Sequence, residues 1–82
     1  MSRYFTLHIV QGCEYCQDAL ELLAKNKEEY VIHDLTHSQR QINEAKEKNG
    51  WNTFPIILLN ESNNRKLIGG YDDLKKFYET NQ

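Results

Sequence analysis

Two cysteines separated by two residues, in the segment Gly12-Cys13-Glu14-Tyr15-Cys16, constrain this chain more than any other feature. The pair follows an apolar run from Tyr4 to Val10 and opens a segment, Glu14 to Lys27, whose apolar residues recur at helical spacing. Cysteines three positions apart in the first turn of a helix fall on nearly the same face and can close a small disulfide ring. The spacing therefore predicts a cysteine pair at a strand-to-helix junction.

The two sulfurs are expected to differ in reactivity. Cys13 lies at or just before the first helical residue, where unpaired backbone N–H groups and the positive end of the helix dipole favour a thiolate. Cys16 lies one turn further on, in the apolar stripe, so we expect it to be more buried and to keep a higher pKa. The pair predicts thiol–disulfide exchange, with Cys13 attacking and Cys16 resolving.

Length and charge limit the other functions that the chain can have. Its 82 residues predict a single domain, residues 1–82, and leave no room for a second. A net charge of −2 predicts no general attraction to nucleic acid or to an anionic membrane. The apolar run Phe54 to Leu59 is too short to span a membrane, and the N-terminus has no signal-peptide pattern. We expect a cytoplasmic monomer, and in a reducing compartment a lone close cysteine pair indicates chemistry rather than a structural staple.

The rest of the pattern predicts an α/β fold with four strands and three helices. A βαβ unit with parallel strands comes first, and an αββα unit with an antiparallel hairpin follows. We expect a four-stranded mixed sheet with helices on both faces and a first strand buried on both sides. The predicted strands are Tyr4 to Val10, Glu29 to Leu35, Thr53 to Leu59 and Arg65 to Ile68. The first predicted helix ends near Asn26-Lys27, and the second stops at Asn49-Gly50. The third runs from Asp72 to about Glu79.

A zinc site is the alternative for the cysteines. His33 and His37 follow Cys13 and Cys16 at close to zinc-finger spacing. However, the gap is longer than usual, and His33 falls in a strand, whereas a finger carries both histidines on a helix. We favour redox chemistry, and for His8 and His33 we expect an ordinary strand histidine with a hydrogen-bond partner.

The only proline, Pro55, precedes an apolar strand and has two interpretations. It is either a strand-start proline, which sheets tolerate, or part of a cis Phe54–Pro55 bond. A cis bond would turn the N–H and C=O of Phe54 outward beside the disulfide, ready to pair with an extended peptide.

The segment Gly69 to Asp73 (sequence GGYDD) also has two interpretations. It is a loop followed by an acidic helix start, or it is a site for an amino-acid zwitterion. In the second case the helix N–H groups of Tyr71 and Asp72 hold a carboxylate and the Asp72 side chain accepts from an ammonium group.

Three stretches, taken in order, resemble the motifs of one family. Cys13 to Cys16, Thr53 to Pro55 and Gly69 to Asp73 are similar to the Cys-Pro-Tyr-Cys, Thr-Val-Pro and Gly-Gly-Cys-Asp-Asp motifs of dithiol glutaredoxins. The resemblance covers nearly the whole chain. It implies a thioredoxin-like fold with sheet order 2-1-3-4, and a glutathione-dependent oxidoreductase that acts on protein disulfides and glutathione mixed disulfides.

The resemblance also implies how glutathione is held. Tyr15 would flank it, the Phe54 backbone within Thr53 to Pro55 would pair with its cysteinyl unit beside a cis Pro55, and the γ-glutamyl end would be bound by three residues, Gly70, Tyr71 and Asp72. The partner of its glycine carboxylate is not evident, because Val10, Trp51 and Asn52 stand where relatives often carry polar or basic residues. Gln11, Arg40 and Gln41 are the candidates that remain.

One departure bears on the chemistry itself. Glu14 stands where the family usually has proline, and its carboxylate should partly counter thiolate formation at Cys13. A less stable thiolate makes the protein a weaker oxidant.

Two alternatives stay open from the sequence. The first alternative is a glutaredoxin-like electron donor that thioredoxin reductase reduces and that feeds ribonucleotide reductase. The second is a non-enzymatic module that binds zinc or an iron–sulfur cluster.

Overall fold

The computed structural model describes residues 3–80 and contains four strands and three helices. The elements, in chain order, are β1 (Arg3–Ile9), α1 (Glu14–Lys25), β2 (Glu29–Asp34), α2 (Gln39–Asn49), β3 (Ile56–Glu61), β4 (Asn64–Gly69) and α3 (Tyr71–Thr80). Within the described residues, no helix is both long and apolar enough to cross a bilayer.

The four strands form one mixed sheet in the order β2-β1-β3-β4. β1 runs parallel to β2, with His8 opposite His33, and antiparallel to β3, with Phe5 opposite Leu59. β3 and β4 form an antiparallel hairpin. The predicted α/β fold with sheet order 2-1-3-4 is confirmed.

Helices cover the sheet on both faces, but unequally. On one face, α1 and α3 bury a continuous core, whose fully buried members are Phe5, Leu7, Ala19, Leu23, Ile57, Leu59 and Leu74. On the other face, α2 contributes a smaller cluster of Leu35, Ala45 and Ile56. The central residues of β1 are buried whichever face they point to, as its weak alternation predicted.

The loop before β3 is the main difference from the predicted boundaries. β3 begins at Ile56 rather than at Thr53. Residues 53–55 form a loop that leads into the strand, and Pro55 has no N–H to donate to a neighbouring strand. α2 ends at Asn49, and its C-cap, Gly50, has a φ of 60°, the left-handed conformation expected after a helix.

Within residues 3–80, no further strand pairs with either edge of the sheet. β2 is exposed along its whole length, and its apolar side chains Tyr30, Val31 and Ile32 are 38%, 45% and 42% exposed. β4 forms the other edge, where Leu67 is 38% exposed.

Candidate active site

The cysteine pair lies where β1 ends and α1 begins. Cys13 is the N-cap of α1, with extended backbone angles, and its Sγ accepts a hydrogen bond of 3.1 Å from the backbone N–H of Cys16. The two residues form a disulfide bond, and their Cα atoms are 5.2 Å apart. In the reduced protein, the same N–H would point at the Cys13 sulfur and stabilise its thiolate.

The two sulfurs occupy different environments, as the sequence predicted. Cys16 is only 3% exposed, whereas Cys13 is half-buried and reaches the surface. Glu14, in the first turn of α1, is exposed. A substrate can therefore reach Cys13, whereas Cys16 is placed to react with the Cys13 sulfur itself once a substrate sulfur is bound to it.

The loop before β3 runs beside the disulfide. The Phe54–Pro55 peptide bond is cis, which is the second of the two interpretations of Pro55 and the one that the family resemblance implied. The Phe54 carbonyl oxygen lies 3.5 Å from Cys13 Sγ. Pro55 is buried, while Thr53 is exposed and Phe54 half-buried. The backbone of Phe54 thus meets the sulfur that is accessible to substrate.

A groove of about 290 Å³ extends from this loop to the start of α3. It contains six of the residues proposed to hold glutathione and two that were not proposed. The lining residues are Tyr15, Trp51, Thr53, Phe54, Gly70, Tyr71, Asp72 and Asp73. Residues far apart in the chain therefore meet on one side of the disulfide.

The start of α3 forms one end of the groove. The backbone N–H of Gly70 donates to Asp73 Oδ2 over 3.0 Å, so Asp73 caps the turn that precedes the helix. The neighbouring Gly69 has φ = 120°, and a Cβ at this position would lie only 2.7 Å from Asp73 Oδ2, so a larger residue would not fit. Because Asp73 is used in this way, the exposed Asp72 and the first-turn N–H groups of α3 remain available to a ligand.

Aromatic rings and two lysines border the groove. The rings of Tyr15 and Tyr71 stack with centroids 6.1 Å apart and planes at 23°. Lys46 Nζ lies 5.8 Å from the Phe54 ring centroid, and Lys75 Nζ lies 5.6 Å from that of Tyr71. The two cations were missed from the sequence, which offered no signal that α2 and α3 would bring them to these rings.

Trp51 is a further residue that the sequence did not assign to the site. Its Nε1 atom is buried and has no hydrogen-bond partner within residues 3–80. A buried donor without a partner is costly, and native structures rarely leave one unused. Since Trp51 lines the groove, a bound ligand with an acceptor group could supply the missing hydrogen-bond partner of Nε1.

The candidates for the glycine carboxylate lie elsewhere. Gln11 lines a separate cavity of about 510 Å³ on the α1 side of Cys13, and its backbone N–H donates to Thr36 Oγ1 over 2.8 Å. Arg40 is exposed on α2 and lines neither of these cavities, and Gln41 faces a third one, between α2 and the sheet. The structure does not bring these three residues into the groove.

The alternative zinc set is not assembled either. His33 lies in β2, and His37 lies in the loop before α2. Over residues 3–80, no three His, Cys, Asp or Glu side chains converge as metal ligands.

Comparisons with known proteins agree with this architecture. A family model described as Glutaredoxin matches residues 3–62, which include both cysteines and Pro55. A solved structure described as "Metal Binding of Glutaredoxins" is similar to this chain, with a TM-score of 0.62 and 28% sequence identity, over 95% of this chain and 80% of that one. The search of curated proteins gave no match.

Proposed function

The chain belongs to the glutaredoxin family, and from this premise we propose that it is a glutathione-dependent thiol–disulfide oxidoreductase that uses Cys13 and Cys16. Family membership and the close cysteine pair support a thiol–disulfide redox role. The proposal adds glutathione as the reductant, and it adds disulfide-bonded or glutathionylated proteins as the substrates.

One contact carries the proposal. The carbonyl oxygen of Phe54, a residue that lines the groove, lies 3.5 Å from Cys13 Sγ, so the groove adjoins the sulfur that we assign to attack. A γ-glutamyl tripeptide bound in the groove through its backbone would hold its own sulfur next to Cys13. Main-chain pairing of this kind is a usual way to bind an extended peptide.

The chemical features of the groove fit glutathione. Its backbone amides need partners, and the Phe54 backbone and the unpaired Trp51 N–H supply them. Its γ-glutamyl carboxylate suits the first-turn N–H groups of α3, and its ammonium group suits the exposed carboxylate of Asp72. Its glycine carboxylate needs a cation, and we assign this role to Lys46, which lies over the Phe54 ring.

The reaction begins on the reduced protein. The Cys13 thiolate attacks one sulfur of a substrate disulfide, a new S–S bond forms to Cys13, and the other substrate sulfur leaves as a thiolate and takes up a proton. The Cys16 thiol then loses its proton and attacks Cys13 Sγ, which releases the second substrate thiol and leaves the Cys13–Cys16 disulfide. Two glutathione thiols restore the dithiol and leave as one glutathione disulfide.

A glutathionylated substrate requires only Cys13. The Cys13 thiolate attacks the glutathionyl sulfur, forms a mixed disulfide with glutathione and releases the protein thiol. A second glutathione thiol then attacks this mixed disulfide, which restores Cys13 and releases glutathione disulfide. Cys16 is not used in this path, because the groove holds the glutathionyl group during the exchange.

The test compares two reductants. Turnover of a small mixed disulfide is measured with glutathione and glutathione reductase, and in parallel with thioredoxin reductase. Turnover only with glutathione supports the proposal. Turnover only with thioredoxin reductase would replace it with a thioredoxin-reductase-dependent donor, for example to ribonucleotide reductase, a possibility that the absence of Lys or Arg among the groove-lining residues favours.

A variant locates the glutathione in the groove. Asp72→Asn is expected to raise the KM for glutathione about fivefold, because an exposed charge pair contributes up to roughly 1 kcal/mol. Glu79→Gln, at the other end of α3, is the control and should leave the KM unchanged. Equal KM values for the two variants would contradict the assignment of a glutathione-binding site to the start of α3.

Metal binding is the second candidate, because the similar solved structure is described as metal binding. The described residues supply only the two cysteine sulfurs at this site and no third ligand. A metal centre would therefore need ligands from glutathione or from a second copy of the chain. Stoichiometric metal in anaerobically purified protein, lost from the Cys13→Ser variant, would favour this function.

A further inference from the structure

A third cavity, of about 330 Å³, lies between α2 and the sheet and shares no lining residue with the groove or with the cavity beside Cys13. Its apolar base is formed by Leu35, Ala45 and Leu58. Its polar lining comes from the strands β1, β2 and β4 and from α2. These residues are His8, His33, Gln41, Glu44, Lys48, Asn49 and Arg65. The proposed redox function does not use this cavity.

Two histidines form one wall of the cavity. The rings of His8 and His33, on the neighbouring strands β1 and β2, have centroids 5.2 Å apart and planes at 45°. His8 Nδ1 is buried and has no hydrogen-bond partner within the described part of the chain. The expectation of an ordinary partner for His8 is therefore wrong at this atom. An unpaired buried nitrogen of this kind indicates a missing partner.

Positive charge is concentrated around the same space. Lys48 reaches the cavity from α2 and Arg65 from β4, and within residues 3–80 neither forms a salt bridge. Arg65 Nε donates to Asn60 Oδ1 over 2.7 Å, which fixes the guanidinium and leaves its terminal N–H groups available. Burial, and then the electrostatic influence of the neighbouring His33, Arg65 and Lys48 side chains, lower the pKa of His8. Among the lining residues that the structure describes, Glu44 is the single carboxylate.

We propose that this cavity binds a small organic anion, a phosphate or carboxylate group carried on an apolar body. The anionic group would accept hydrogen bonds from Lys48, Arg65 and the protonated His8, and the apolar body would lie on the base of Leu35, Ala45 and Leu58. Such an anion satisfies the cations and His8 Nδ1 together. A metal ion fits less well, because the lining offers no third convergent ligand within residues 3–80 and two cations would repel it.

The experiment follows the His8 imidazole by NMR while a probe is added to the oxidised protein. Phenyl phosphate and benzoate present the two anionic groups on the same ring, and benzyl alcohol is the neutral control. Binding of either anion should raise the pKa of His8 and shift its imidazole resonances, and the stronger of the two identifies the preferred group. The proposal is overturned if benzyl alcohol produces an equal response, or if neither anion produces a response.

Two variants test the charges independently. Lys48→Gln and Arg65→Gln should each weaken binding of the preferred probe about tenfold, since each removes a charge-assisted hydrogen bond. Lys66→Gln, next to Arg65 on β4 but outside the cavity, should bind as the unmodified chain does. Lys48 is exposed on α2, so its variant keeps the test sound if Arg65→Gln disturbs the hairpin. Unchanged affinity in both variants contradicts the assignment, and the redox activity does not enter either measurement.

Discussion

The backbone N–H of Cys16 donates to the sulfur of Cys13 over 3.1 Å, so the residue proposed to resolve would also stabilise a thiolate on the residue proposed to attack. The interaction belongs to the helix cap, and Cys16 takes part in it only through its main-chain N–H. It therefore persists when the Cys16 side chain is changed, which permits the roles of the two sulfurs to be separated by mutation.

The Cys16→Ser variant is expected to keep deglutathionylation and to lose reduction of protein disulfides. It retains the main-chain donor to Cys13, whereas the sulfur that releases a bound protein substrate is absent. Both activities can be measured with glutathione and glutathione reductase as the electron source. The Cys13→Ser variant, which lacks the nucleophile, should lose both. Retention of both activities by Cys16→Ser would contradict the division of labour between the two sulfurs.

Glu14→Gln is expected to make the protein a stronger oxidant. Removing the carboxylate next to Cys13 favours the thiolate, lowers the pKa of the Cys13 thiol and stabilises the reduced form. For an exposed charge the reduction potential should rise by roughly 5–20 mV. The measurements are the pH dependence of thiolate absorbance and equilibration against a glutathione redox buffer. Glu21→Gln, exposed further along α1, is the matched control, and an equal rise in that variant would assign the effect to net charge alone.

Lys46→Gln is expected to raise the KM for glutathione about three- to fivefold with little change in kcat, because it removes a cation beside Phe54. Steady-state kinetics at several ionic strengths provide the measurement, since added salt should shrink the difference. Lys76→Gln, exposed on α3, serves as the comparison. If the two variants behave alike, the glycine carboxylate has another partner.

Glu28→Gln is expected to destabilise the fold by about 1–2 kcal/mol near neutral pH. Glu28 accepts from Arg3 over 2.6 Å and from the Tyr78 hydroxyl over 2.8 Å, which joins β1 to α3. Burial opposes ionisation of Glu28, but the hydrogen bonds from Arg3 and Tyr78 outweigh it, and its pKa lies below the ordinary value of 4.5. Because Arg3 is partly exposed, the lower end of the range is expected.

The sign of the pH dependence follows from that lowered pKa. The stabilisation by ionised Glu28 is fully present above the ordinary pKa and is lost as the pH falls through the folded-state pKa. Urea denaturation should therefore separate Glu28→Gln from the unmodified chain at pH 7 more than in acid. Glu47→Gln, exposed on α2, should track the unmodified chain throughout. A difference that is constant with pH would indicate lost packing instead of lost charge.

Most of the framework could be predicted from local patterns. Apolar periodicity gave the elements, and the short hairpin after Pro55 required the last two strands to be antiparallel. The position of Cys13 at a helix start was sufficient to predict its cap geometry and the deeper burial of Cys16. These are consequences of neighbouring residues, which a sequence records directly.

The features that were missed depend on how separate elements pack. Lys46 meets Phe54 only because α2 crosses the sheet next to the loop before β3. The unpaired nitrogens of His8 and Trp51 depend on burial by distant residues. Gln11 and Arg40 were named only because no partner for the glycine carboxylate was evident. Gln11 precedes α1 and lines the cavity on the other side of Cys13, and Arg40 is exposed on α2 outside the groove.

The open edge at β2 has a consequence for the protein in a crowded solution. Its apolar run Tyr30 to Ile32 is exposed beside unpaired main-chain groups, which is a template for adding strands from other molecules. The strand is six residues long, and carboxylates stand at both of its ends, at Glu29 and Asp34. Like charges brought together by strand addition would repel, so these two carboxylates would oppose the pairing of two copies of β2.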